Sequence, residues 1–160
     1  MCAAAGYGTG GYCDAASTNN QGTIESLINL AVSETNTAYE RSGIPAKLRL
    51  VKTHFDATYD DYRNQWETTL AYLKGTNDGQ LDYIHSMRDQ VGADFVSIMV
   101  DTGGYCGIGY RPDSPSGTLA FTVVKWSCAT GYYSFGHELG HNMVSFFRRH
   151  TGTKRLTSQY

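Results

Sequence analysis

Hydrophobic and polar positions alternate along this chain in a way that predicts a mixed α/β order. Residues 24–41 read as a helix: Leu27, Leu30, Ala31, Glu34 and Ala38 follow helical spacing, and the run Ser42, Gly43, Ile44, Pro45 stops it. Residues 48–55 alternate apolar and polar as a strand does. Two shorter helices are expected over 62–73 and 81–91, separated by the turn-forming residues 75–79. The apolar run 95–100 suits a central strand. Glycines at 103, 104, 107 and 109 suggest an irregular edge strand, followed by a loop through Pro112 and Pro115 and a strand over 120–126.

A last helix is expected around residues 137–146. Leu139, Met143 and Phe146 recur at the spacing of a buried stripe, whereas His137 and His141 occupy a different face. Gly136 and Gly140 lower helix propensity there, and close approach of a neighbour is the expected reason for both.

That helix carries the chemistry. Successive helical residues turn about 100°, so two histidines four positions apart stack and can reach one metal ion. The run His137, Glu138, Leu139, Gly140, His141 has this spacing with a carboxylate inside it. Two imidazoles suit Zn²⁺, and Glu138 is placed to take a proton from water that the metal activates and to pass it to a leaving amine. The bland alternative is an amphipathic helix whose histidines are ordinary polar groups.

Composition narrows the class. A chain of 160 residues, 41% hydrophobic, suits one domain with a buried core, expected to span 1–160. The net charge of −2 argues against a nucleic-acid partner. Apolar runs are too short to span a bilayer, so no membrane association is expected, and a monomer is the expected state. The first residues do not form a signal peptide, so any export signal would lie outside this sequence.

Charge is unevenly spread. Up to His141 there are nine Lys/Arg and fifteen Asp/Glu; beyond it come Arg148, Arg149, Lys154 and Arg155 with no acid. Residues 144–160 therefore differ in character from the rest. Cysteines at 2, 13, 106 and 128 lack the spacing of a zinc knuckle or redox pair. The pairings Cys2–Cys13 and Cys106–Cys128, each closing a moderate loop, are favoured over four reduced, buried thiols. No cysteine is expected to act as a nucleophile.

The order of elements and residues 92–96, 105–110 and 128–143 together resemble the metzincin zinc metalloproteases, and more narrowly the reprolysin-like and peptidyl-Asp metalloendopeptidases. The likeness runs from about residue 22 to 143. It implies an α+β zincin-like fold: a mixed twisted sheet beside the zinc-binding helix, with the C-terminal subdomain largely missing. It implies a secreted zinc endopeptidase acting on peptide or protein substrates, with an extended substrate pairing along the edge strand near 103–110. A preference for cutting beside an acidic residue is implied in the same way. Such relatives also usually place a strand before the first cysteine pair, and that strand is expected to be absent here.

The chain leaves this pattern after Met143. The resemblance implies glycine and histidine where Val144 and Phe147 stand, an aspartate in many relatives where Arg148 stands, and a downstream methionine turn that is not found. No Asp or Glu follows Glu138, so the remaining candidate ligand is His150. On an unbroken helix His150 would lie about 13 Å along the axis from His141, too far to share a metal. It could ligate only if the chain breaks near Ser145 and folds back; otherwise it is a solvated polar residue. The tail is thus open to three readings: a truncated or frameshifted product, a member that has lost its third ligand, or a site completed by His150. The abrupt loss of acidic residues favours the first, and a catalytically inactive scaffold that binds peptides or proteins is the alternative function.

Overall fold

The structure is a computed structural model that describes residues 2–4, 18–56, 58–59, 65–101, 104–114 and 116–143. In chain order these form β1 (Cys2–Ala4), α1 (Thr18–Arg41), β2 (Thr53–Phe55), α2 (Trp66–Lys74), α3 (Tyr83–Val91), β3 (Val96–Val100), β4 (Gly107–Gly109), β5 (Phe121–Lys125) and α4 (Ser134–Met143). The sheet order is β2-β1-β3-β5-β4. β4 runs antiparallel to β5 and every other neighbouring pair is parallel, so the sheet is mixed, as the family resemblance implies.

β3 is buried along its whole length because helices cover both sheet faces. Side chains alternate across a strand, which divides the core in two. Val96, Ile98 and Val100 join Phe121 and Val123 of β5 against Trp66, Leu70, Leu73 and Ile84 of α2 and α3. Met99 and Val124 face the other way, against Ile24, Ile28 and Ala31 of α1 and Phe135 and Leu139 of α4. The stripe that α1 buries is Ile24, Ile28, Ala31 and Thr35; Leu30, expected on the inner face, is 49% exposed. The helix ends where Ile44 N–H bonds the Tyr39 carbonyl and Gly43 takes a positive φ of 66°, a left-handed step that glycine makes without strain.

Two strands differ from the sequence reading. One strand is not anticipated by the sequence: β1 begins at Cys2 and pairs with both β2 and β3. Its small residues, Cys-Ala-Ala, carry no alternating pattern by which to find it. The strand expected over 48–55 is confined to Thr53–Phe55, because β1 pairs only with those residues. A ladder extends no further than its partner. Residues 144–160, with Phe146 and His150, and Cys13 lie outside the described residues, as do 62–64 of the expected second helix.

Just past β2, Asp56 is 7% exposed and ties three elements together. Its Oδ1 accepts from Thr58 N–H at 2.8 Å, Thr58 Oγ1 at 2.6 Å and Tyr59 N–H at 3.2 Å, and its Oδ2 accepts from the Tyr83 hydroxyl of α3 at 2.5 Å. Burial pushes the Asp56 carboxyl up, but the bonds from Thr58, Tyr83 and Tyr59 outweigh it and hold the carboxyl below its ordinary value.

Candidate metal centre

α4 is rooted in the core by Phe135 and Leu139, each buried against α1, β3 and β5, with Met143 packed at the margin. At helical spacing this leaves His137 exposed and His141 half-buried on the opposite side. Their ring centroids are 4.6 Å apart with the planes 84° apart. One ligand atom from each of His137, Glu138 and His141 lies within 4.8 Å of the others. The three residues expected from the sequence are therefore brought together. Among the described residues no further histidine, cysteine or carboxylate joins this group, and His150 lies outside them.

Glu138 is only 6% exposed, and it is glycine on β4 that lets it fit. A Cβ built on Gly107 would stand 2.5 Å from Glu138 Cγ, and one on Gly109 would stand 2.9 Å from the Glu138 carbonyl oxygen. Two flat positions on the strand thus form the wall against which the carboxylate rests. Gly136 makes the close approach expected of it: a Cβ there would meet Thr35 Oγ1 of α1 at 2.8 Å. Gly140 does not: among the described residues nothing lies within 4 Å of its Cβ position. That expectation is corrected; Gly140 faces open space beside the histidines.

The helix and the edge strand are pinned at two further points. The disulfide Cys106–Cys128, with Cα atoms 5.4 Å apart, links the start of β4 to the 3-10 turn Trp126–Cys128 that leads toward α4. This is one of the two pairings favoured from the sequence. Asn142 Nδ2 donates to the Tyr110 carbonyl at 2.7 Å and the Leu119 carbonyl at 3.1 Å, fastening the far end of β4 to α4. The sequence reading missed Asn142. Its one signal was an amide on the buried side of a helix, where a polar group must find partners.

Electrostatics suit a metal site. Burial pushes the Glu138 carboxyl up, with partial opposition from His137. Burial, then the charges of His137 and Arg111, pushes His141 down. A lowered imidazole is neutral over a wider pH range, which is the form that ligates a metal, and a raised carboxyl moves toward the range of a useful general base. Two imidazoles on one helix turn with a carboxylate beside them form a donor set that fits zinc.

The comparisons agree with this geometry. The family described as metallo-peptidase family M12B, reprolysin-like, matches residues 26–151. A peptidyl-Asp metalloendopeptidase of Stenotrophomonas maltophilia strain K279a is 37% identical over 147 residues, covering 92% of this chain and 34% of the relative. A peptidyl-Asp metalloendopeptidase of Xanthomonas campestris pathovar campestris is 39% identical over 120 residues, covering 75% of this chain and 28% of the relative. The chain spans about a third of the length of these curated relatives. A chain in a solved chaperone–substrate complex superposes with a TM-score of 0.64 at 17% identity, over 89% of this chain and 23% of that one, a likeness of fold alone. With the helix, its paired histidines and the intervening carboxylate in place, the chain belongs to the M12B reprolysin-like family of metallopeptidases.

Proposed function

We propose that this chain is the zinc-dependent endopeptidase unit of its protein, a single catalytic domain over 1–160, with His137 and His141 as metal ligands, Glu138 as general base and His150 as the candidate third ligand. The observation that carries the proposal is the convergence of His137, Glu138 and His141 within 4.8 Å on one helix. Bound there, zinc would supply Lewis acidity, polarising a carbonyl and making water easier to deprotonate. The chain's own residues do the rest. Glu138, held by burial in a raised pKa range, accepts a proton at a carboxylate oxygen and returns it to the departing amine. β4 is the outer strand of the sheet beside Glu138, and its free edge offers N–H and C=O groups to an extended peptide.

The relatives' name, peptidyl-Asp metalloendopeptidase, supports a preference for an aspartate in the substrate. A disulfide supports an oxidising, extracellular setting, and a monomer without nucleic-acid or membrane partners is the working state. Among the described residues no helix is long and apolar enough to cross a membrane.

A second reading, a scaffold that binds peptides without cutting them, is favoured by one observation: only two histidines meet at the centre among the described residues. Zinc content of the purified protein tests the ligand set. Near-stoichiometric zinc, lost in His137→Ala and His141→Ala, supports it; full zinc in both variants would place the metal elsewhere. Unchanged affinity in His150→Ala would remove that residue from the set.

A further inference from the structure

β4 presents its two faces differently. Ile108 and Tyr110 pack against the core beneath α2 and α3. Gly107 and Gly109 direct their Cβ positions at Glu138 of α4. The alternation continues past the strand, because Tyr110 N–H still bonds the Phe121 carbonyl at 3.4 Å and the Tyr110 carbonyl is fastened to Asn142. Arg111 is next in the row of Gly107 and Gly109, about 7 Å beyond Gly109 at strand rise. It is the first residue beyond the two glycines on that side to carry a side chain.

Arg111 is exposed, and among the described residues it has no ion-pair partner. As the residue after Tyr110, whose carbonyl accepts from Asn142, it lies level with His141 and Asn142. Before the strand, Tyr105 is 71% exposed and lies edge-on to Trp66 of α2, on the other side of the sheet. A peptide laid along β4 would therefore pass the two glycines opposite Glu138 and meet a guanidinium at the Tyr110 end.

We propose that Arg111 determines specificity by holding the carboxylate of an acidic side chain of the bound peptide, at the His141 end of the cleft. This rests on the endopeptidase reading and assigns a residue to its acidic preference. A guanidinium offers five donors in a planar fork that matches a carboxylate, and an unpaired one beside the cleft has that capacity free. The two glycines seat Glu138 against the strand, so a peptide paired along its edge passes the carboxylate within reach of Arg111.

The test is a set of extended peptides in which one aspartate, or asparagine in its place, is moved along the sequence. Binding is measured by fluorescence anisotropy in the presence of zinc to Glu138→Gln, which retains the bound peptide uncut, with and without Arg111→Ala. The expected result is a preference for aspartate of roughly tenfold at one position, falling to near one in Arg111→Ala and intermediate in Arg111→Lys. The same preference with and without Arg111, or none at any position, would overturn the assignment. Thermal unfolding of Arg111→Ala should match the parent, since the side chain is exposed. Failure of the endopeptidase reading shows separately, as absence of Glu138-dependent cleavage by the wild-type chain, while the binding ratios still decide Arg111.

Discussion

Gly107 stands so close to Glu138 that a Cβ on the first would lie 2.5 Å from Cγ of the second. No carbon pair tolerates that separation, so a side chain at 107 must move the carboxylate or the strand. Gly107→Ala should therefore lower stability by about 1–3 kcal/mol, the usual scale of overpacking, and should suppress proteolysis further than stability explains. Urea unfolding and cleavage of an unfolded protein would read both. Full cleavage in a folded Gly107→Ala protein would show that the contact does not seat Glu138.

The two glycines flanking the histidine pair should behave oppositely. Gly136→Ala drives a methyl into Thr35, whose hydroxyl is buried and bonded to the Ala31 carbonyl at 2.8 Å, so α1 and α4 must separate. Gly140→Ala meets nothing among the described residues and gains helix propensity, worth up to about 1 kcal/mol. Thermal melts should fall for the first and hold or rise for the second.

Part of this arrangement is legible in the sequence and part is not. The His137, Glu138, His141 spacing and the apolar positions of α4 specify the helix and its two faces, because helical period and ligand geometry both depend on residue spacing alone. The glycines of β4 mark an edge, yet their contact with Glu138 joins residues about thirty positions apart, and no local pattern reports that. Leu30 fits the helical period as well as Ile28 does, and only the placement of the sheet decides which is buried. β1 is invisible for the opposite reason: three small residues become a strand because β2 and β3 flank them. Asn142 and Arg111 gain their roles from the path of β4 across α4.

Asp56 predicts an acid dependence. Its carboxyl is held below the ordinary value near 3.9 by the bonds from Thr58, Tyr83 and Tyr59. A depressed folded pKa contributes stability that is present above the unfolded value and is lost as pH falls through the folded one. Stability should therefore drop below about pH 4. Asp56→Asn should be less stable at neutral pH and lose less on acidification. Equal acid sensitivity of the two proteins, in melts from pH 7 to about pH 3, would assign the effect to other groups.

The Cys106–Cys128 disulfide closes a loop with a sequence separation of 22. Loop-closure entropy makes that worth about 3 kcal/mol, and the bridge also holds the start of β4 near α4. Cys106→Ser together with Cys128→Ser should lower the denaturant midpoint and reduce zinc affinity together. A lower midpoint with unchanged zinc affinity would separate the staple from the site.

On the proposed function, His137, Glu138 and His141 form a working metallopeptidase centre. Its most direct test is cleavage of an unfolded protein by zinc-loaded wild type and Glu138→Gln, side by side. The expected result is cleavage by the wild type that a chelator abolishes and that Glu138→Gln lowers by at least about a hundredfold, the contribution expected of a general base. Cleavage that persists undiminished in Glu138→Gln would contradict it.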